Sequence, residues 1–453
     1  MPRVQLPSSL KSLVGDRDVL EAEGGTAAEV LGRLEKSYPR LSGWVLDEQG
    51  RLRQHVALFR AGERLEPDAP LAAGDRVDVV PAISGGALAE PQPAETPAEL
   101  LVATRKGLFV LRGDPGGPMD VEARVFEGLP VELAMRDPRS GLYIASVTHW
   151  QYGPRLFLSS DPTAATDEWE QAEGPAFPED AEASVERIWV VEPGEADGEL
   201  WAGVAPAALF RSTDGGRSWK LNQALWDEPS RSEWNPGAGG LCLHSICPWP
   251  GEPDRLAVAI SAAGIWITED GGASWRRGGQ GLVPRYLPED AREGAVALCV
   301  HSMKRAPLEP ETLYLQFHGG VYRSDDQGAT WHDIAKGLPA DFGFPMVIDP
   351  RDPARAFVIP LVADVDRVAP GGKLQVWETR DRGASWQARD EGLPGEDAFS
   401  TVLRQAFCCD GRDPLGLYFG ATSGEVFGSG DGGATWRSVA RRLAPVLAVR
   451  ASS

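Results

Sequence analysis

From residue 99 onward, apolar residues come in short runs separated by turns rich in Gly, Pro and Asp, and almost no helical period is present. Leu100-Leu-Val-Ala-Thr-Arg-Lys-Gly-Leu-Phe-Val-Leu111 sets the type, with two apolar runs flanking Arg105-Lys106-Gly107. Such runs predict strands joined by tight hairpins. The first 86 residues read differently. Between Thr26 and Tyr38, apolar side chains fall at 27, 30, 31, 34 and 38, one face of a helix with Thr26 as N-cap and Pro39 as its stop. Around it, residues 4–6, 18–20, 41–46, 56–60 and 76–80 read as strands, with turns at 47–50 and 61–62. A helix among strands in so short a stretch predicts a small α+β domain.

One octapeptide recurs. Ser212-Thr-Asp-Gly-Gly-Arg-Ser-Trp219 returns at 268–275, 324–331, 379–386 and 429–436, and its aspartates (Asp214, Asp270, Asp326, Asp381 and Asp431) lie 56, 56, 55 and 50 residues apart. A period of that size signals a propeller, a solenoid or an array. Each unit has an apolar strand, an acidic or Pro-containing turn, a second strand, a short loop, a third strand running into the octapeptide, and a Trp leading outward. Four strands per unit is the signature of a propeller blade. Units at 131–169 (with a degenerate octapeptide, Ser160-Asp161 and Trp169), 185–220, 241–276, 297–332, 344–387 and 402–437 make six. A seventh is split. Residues 100–111 lack a first strand, and residues 445–449 form a first strand with nothing after it; together they complete a blade and remove an open edge. The expectation is a multidomain chain: a small α+β domain over 1–86, a Pro/Ala/Glu linker over 87–98, and an all-β propeller over 99–453. The propeller has seven blades, six being the alternative, and the C-terminal strand closes the first blade.

Composition narrows the partners. The chain has 453 residues, 42% of them hydrophobic, which supports a substantial core, and a net charge of -21. That charge repels phosphates and anionic lipid, so nucleic acid and membrane are not expected partners. The five cysteines (Cys242, Cys247, Cys299, Cys408 and Cys409) are odd in number and lack paired C-x-x-C spacing, which predicts reduced thiols. No apolar run near Met1 is long enough for a signal peptide, and no 18-residue apolar stretch follows, so a cytoplasmic location is expected.

Two resemblances sharpen this picture. Gly25-Thr-Ala-Ala-Glu-Val-Leu, Tyr38-Pro-Arg-Leu, Asp47-Glu-Gln-Gly-Arg-Leu-Arg-Gln-His55, Leu71-Ala-Ala-Gly-Asp-Arg-Val-Asp-Val-Val-Pro81 and Ser84-Gly85-Gly86 resemble the ubiquitin-like sulfur carriers of the MoaD/ThiS type, a β-grasp fold. The resemblance implies a diglycine tail that enters an ATP-dependent, E1-like activating enzyme, is adenylated at its terminal carboxylate and is converted to a thiocarboxylate. Carried over, Gly86 bears the reactive carbonyl and Gly85 provides clearance, since glycine lacks the Cβ that would obstruct a narrow channel. Here Gly86 is followed by Ala87, so its carbonyl is an amide, and the chemistry requires a protease to expose it. The alternative is a Gly-Gly hinge into the linker. The octapeptides resemble the Asp-box, or bacterial neuraminidase repeat, of sialidases, sortilin-like receptors and photosystem II assembly-factor-like propellers. That likeness implies architecture rather than activity, because the motif fastens a turn. The arginine triad and F-R-I-P motif of sialidases are not recognisable.

Aligning the units with one another points to a site elsewhere. Glu132, Arg187, His244, His301, Phe344 and Arg404 occupy one position on successive first strands, which line a propeller's axis. The loops between second and third strands carry Arg105-Lys106, His149-Trp150, Ser261, His318, Asp364 and Thr422-Ser423. Four of the six histidines (His149, His244, His301 and His318) are thereby expected on one axial funnel. Arg187, Arg404 and Lys106 suit a small anionic ligand, and Glu132 beside a histidine suits general acid/base work of a hydrolase kind. The imidazoles could hold zinc or iron, although no H-x-H or H-E-x-x-H spacing supports a metal. No cofactor is required by these readings, and a protein grasped in the funnel is the further alternative.

Overall fold

The computed structural model describes every residue except 7–9, 11–13, 16, 18, 42–44, 47–49, 53–55, 61–62, 82–96, 238, 363–366 and 453, and the side chains of residues 80 and 81. The chain divides into two compact units, Met1–Ala87 and Leu88–Ser453.

The first unit is ubiquitin-like. Strands β1 (Arg3–Gln5), β2 (Val19–Glu21), β3 (Val56–Arg60), β4 (Glu63–Arg64) and β5 (Arg76–Pro81) form one sheet in the order β2-β1-β5-β3-β4. At its centre, β5 runs parallel to β1 and antiparallel to β3. Helix α1 (Ala27–Ser37) buries Ala27, Val30, Leu31 and Leu34, the stripe legible in the sequence, with Val4, Leu58, Val77 and Val79 in the same core. Its start is fixed by Thr26, whose Oγ1 accepts from Glu29 N at 3.3 Å, while Glu29 Oε2 accepts from Gly25 N at 2.8 Å. Of the strand expected over 41–46, residues 42–44 lie outside the described residues. Pro39–Leu41 is a 3₁₀ turn, consistent with the fixed φ of Pro39, and Leu46 makes an isolated bridge to Leu52. The turn expected at 61–62 lies outside the described residues, as does most of that at 47–50.

The second unit is a mostly-β, propeller-like body of five four-stranded sheets and one eight-stranded sheet. Within each four-stranded sheet, consecutive strands pair antiparallel. In the eight-stranded sheet the last strand, Val446–Ala451, pairs antiparallel with Ala98–Thr104, from Val446↔Thr104 to Ala451↔Leu100. It touches Val402–Cys409 in parallel through Gln405↔Ala448.

Each octapeptide forms the same turn. Ser212 Oγ donates to Asp214 Oδ1 at 2.8 Å and accepts from Gly216 N at 2.9 Å, while Ser218 N and Oγ both donate to the Asp214 carboxylate. The same set recurs around Asp270, Asp326, Asp381 and Asp431. Two successive residues of the turn have positive φ. The first tolerates Gln327 and Arg382, whereas the second is glycine in every copy, Gly216 among them at φ 88°. The turn is therefore a fastener.

The innermost strands share an irregularity that bears on the site. Pairing with the second strand slips at least once in each, and these slips leave out Glu132, Trp189, His244, His301, Phe344-Pro345, residues 403–406 and Leu447. Such bulges bend a strand and re-aim the side chain at the slip.

Candidate functional site

Most of the slipped residues line a cavity of about 950 Å³ in the second unit. Of the positions aligned from the sequence, Glu132, Arg187, His301, Phe344 and Arg404 line it, joined by Arg105, Trp150, Ser261 and His318 from the loops. His244 does not line it. It is 1% exposed, its Nδ1 is 2.9 Å from Ser245 Oγ, and its Nε2 is 2.9 Å from the Val300 carbonyl, so both ring nitrogens are engaged within the wall. His149 stacks on Tyr152, with centroids 4.7 Å apart, next to the exposed Trp150 that the cavity does include. Lys106 is exposed on its hairpin and lies outside the lining. Gly85, Gly86 and Asp364 fall outside the described residues.

One wall is a ladder of cations and rings. Arg187 lies 4.8 Å from the Trp189 ring, and Arg404 lies 5.0 Å from that ring on its way to Phe344, at 5.7 Å. Arg367 then packs 5.0 Å from the Phe344 ring. Alternation of guanidinium and aromatic faces lets like charges sit near one another, each offset by a ring quadrupole. Glu132 Oε2, 3.4 Å from Arg187 Nε, is the one carboxylate among the described lining residues, against Arg105, Arg187, Arg367 and Arg404. The lining is net positive inside an acidic protein. Arg404 also places Nη1 3.7 Å from Cys242 Sγ, while its Nε is buried without a hydrogen-bond partner. A buried guanidinium N–H left unmatched is a donor awaiting an acceptor.

Next to the ladder, with His301 stacked on Phe344 at 4.8 Å, lies the chemistry of sulfur and imidazole. Cys299 Sγ is 3.6 Å from His301 Nε2 and 3.4 Å from Ser261 Oγ, and the His301 and His318 rings meet edge to face at 5.4 Å. Ligand atoms of Cys299, His301 and His318 lie within 4.8 Å of one another, a grouping able to receive a metal ion. Burial holds the His301 imidazole well below the ordinary histidine range, with the Arg404 charge adding to it, and burial likewise pushes the Cys299 thiol up. Near neutral pH the His301 ring is therefore a neutral base. Alignment by repeat position found His301 and Arg404 but missed Cys299, Trp189 and Arg367. Cys299 had a signal of its own, since alternation along a strand sets residues 299 and 301 on one face.

Comparison with known proteins separates the two units. A family model described as ThiS family matches the first. Residues 4–86 carry the match. The unit is also similar to CysO in the structure of the BexX/CysO complex of Amycolatopsis orientalis, at 22% identity, covering 19% of this chain and all of that one, with a TM-score of 0.18. The propeller-like body is similar to an ancestral GH74 enzyme, at 16% identity over 75% of this chain and 40% of that one, with a TM-score of 0.47. A curated oligoxyloglucan-reducing end-specific xyloglucanase of Emericella nidulans is 26% identical over 228 residues, which are 44% of this chain. The chain spans about a quarter (26%) of that relative's length. All five cysteines are free thiols, and among the described residues no helix is long and apolar enough to cross a membrane.

Proposed function

We propose that this chain is a ubiquitin-like sulfur carrier or protein modifier whose propeller serves as scaffold and partner, with Gly86 the reactive end once a protease has cut the Gly86–Ala87 bond. The observation that carries this reading is the ThiS match over residues 4–86, which runs through the diglycine. The sheet supports it, because β5 is the central strand and leads straight into residues 82–86, so the tail springs from the best-anchored part of the unit. Hydrolysis of the peptide bond yields the Gly86 carboxylate. That carboxylate attacks ATP on an activating enzyme, releasing pyrophosphate, and sulfide then displaces AMP to leave a thiocarboxylate. The test incubates the full chain with an E1-like activating enzyme, ATP and a sulfur donor, with and without a cell extract as protease source. Intact mass should show a fragment ending at Gly86, heavier by the exchange of one oxygen for sulfur. Finding only uncut, unadenylated chain sinks the proposal.

For the propeller we read the eight-stranded sheet as two blades joined at Gln405↔Ala448, giving seven blades of Asp-box type. Its funnel binds a small anionic ligand, or the carboxylate of a protein partner, in the cytoplasm. The ladder of Arg187, Trp189, Arg404, Phe344 and Arg367, with Arg404 Nε buried and unmatched, favours this second function.

A further inference from the structure

We infer that Cys299, His301 and His318 form a zinc site in the wall of the funnel. The site belongs to the propeller alone and is independent of the carrier reading. Zinc takes thiolate at about 2.3 Å and imidazole nitrogen at about 2.0–2.1 Å, so two such ligands at a tetrahedral angle stand about 3.6 Å apart. Cys299 Sγ and His301 Nε2 are 3.6 Å apart. The separation is the one that a shared zinc ion requires.

The outer contacts match what a metal-bound imidazole uses. His301 Nδ1 lies 2.6 Å from the Gly343 carbonyl, which accepts its proton and leaves the Nε2 lone pair directed at Cys299. The ring is further clamped between Phe344, stacked at 4.8 Å, and Phe342, edge-on at 5.0 Å. Cys299 is fixed through its backbone. Its N–H donates to Tyr286 Oη at 2.7 Å, Tyr286 Oη donates to the Ala297 carbonyl at 2.6 Å, and the Cys299 carbonyl accepts from His318 N at 3.1 Å. That last bond ties the main chains of two ligands together. His318, the half-buried member, completes the set with its ligand atom within 4.8 Å of the others.

Three protein ligands leave a fourth position, and all three side chains line the cavity. Sites of this kind keep water or substrate in that position. One thiolate against a divalent ion leaves a local charge of about +1, and Arg404 adds to it. The open position therefore suits an anion, a carboxylate or a hydroxide. A thiolate with two imidazoles favours zinc over calcium or magnesium, which take oxygen ligands. On binding, the Cys299 thiol proton leaves to solvent and the sulfur lone pair enters the Zn–S bond, with no change of oxidation state.

The test uses the full chain, stripped of metal with a chelator, then titrated with zinc by calorimetry and with cobalt(II) by absorption. The proposal expects one ion per chain, a thiolate-to-cobalt charge-transfer band in the near ultraviolet, and a higher Tm with zinc. Cys299→Ser should abolish the charge-transfer band. His318→Ala, at the half-buried position, should weaken zinc binding by more than the roughly 10–100-fold that loss of an outer partner costs. Cys247→Ser, at a thiol outside the cavity lining that donates to the Met303 carbonyl, should leave binding intact. Failure of the stripped chain to bind zinc, or binding indifferent to both Cys299→Ser and His318→Ala, overturns the assignment and leaves a thiol–imidazole hydrogen bond in its place.

Discussion

Asp214→Ala tests whether the repeated octapeptide is a fastener or a site. The substitution removes the acceptor of four hydrogen bonds, from Ser212 Oγ at 2.8 Å, Arg217 N at 3.0 Å, Ser218 N at 3.0 Å and Ser218 Oγ at 2.6 Å. At about 0.5–1.5 kcal/mol each, with exposure drawing them toward the lower end, the loss comes to about 2–3 kcal/mol. Protonation gives a second handle on the same contacts. Desolvation pushes the Asp214 carboxyl up, but hydrogen bonds from Ser218 and Ser212 outweigh it and hold the group at about 2, against an ordinary 3.8. Undiluted, that depression is worth about 2.4 kcal/mol, and solvent screening at this exposed position reduces it to about 1 kcal/mol. Because the folded value lies below the unfolded one, this stabilisation is complete above about pH 4 and is lost as pH falls through about 2. Urea unfolding of the full chain and the variant, followed by tryptophan fluorescence from neutral pH to about pH 2.5, measures both effects. The variant should unfold at lower urea at neutral pH, and the gap should narrow on acidification. A gap of constant size would refute the carboxylate argument. An unchanged midpoint with altered ligand binding would make the turn a site after all.

Arg404→Ala should weaken binding of a small carboxylate or phosphate in the funnel by at least roughly tenfold, in line with a lost charge-assisted hydrogen bond. Calorimetry at rising salt should show the wild-type affinity falling more steeply than that of the variant. Glu378→Gln should cost about 3–5 kcal/mol in the same urea assay, since the buried Glu378 accepts from Arg355 at 2.6 Å, Arg389 at 2.7 Å and Arg380 at 2.9 Å, and its loss leaves Arg355 with less of its countercharge.

How far the chain could be read without coordinates depended on the range of each interaction. Helix α1 was legible to its cap, because the Thr26–Glu29 contact and each step of the stripe Ala27, Val30, Leu31 and Leu34 span no more than three residues. The octapeptide was legible because its turn is likewise local. The site was legible only in register. Repeat alignment placed Glu132, His301, Phe344 and Arg404 on the cavity, yet it gave His244 the same standing as His301. What divides those two is tertiary. The His244 carbonyl accepts from Gln405 Nε2, 161 residues away, and its ring is absorbed by Ser245 and Val300. The strand slips were beyond reach for a related reason, since a bulge belongs to a pair of strands and neither sequence alone declares it. Cys299 is not marked by repeat alignment, because a lone thiol gains its imidazole company only when the hairpin returns His318 to it.

The seating of Val446–Ala451 against Ala98–Thr104 also sets a clock. Strand Ala98–Thr104 is among the first of its unit to leave the ribosome, and its partner is among the last. Val446 follows Thr104 by 342 positions, which at roughly 5–20 residues per second is roughly 17–70 s of synthesis. For all that time one edge of the earliest strand, with its unpaired N–H and C=O groups, waits in the open. A chaperone or a neighbouring nascent chain has its best opportunity to engage this protein there, and the opportunity closes only once Val446–Ala451 has been made.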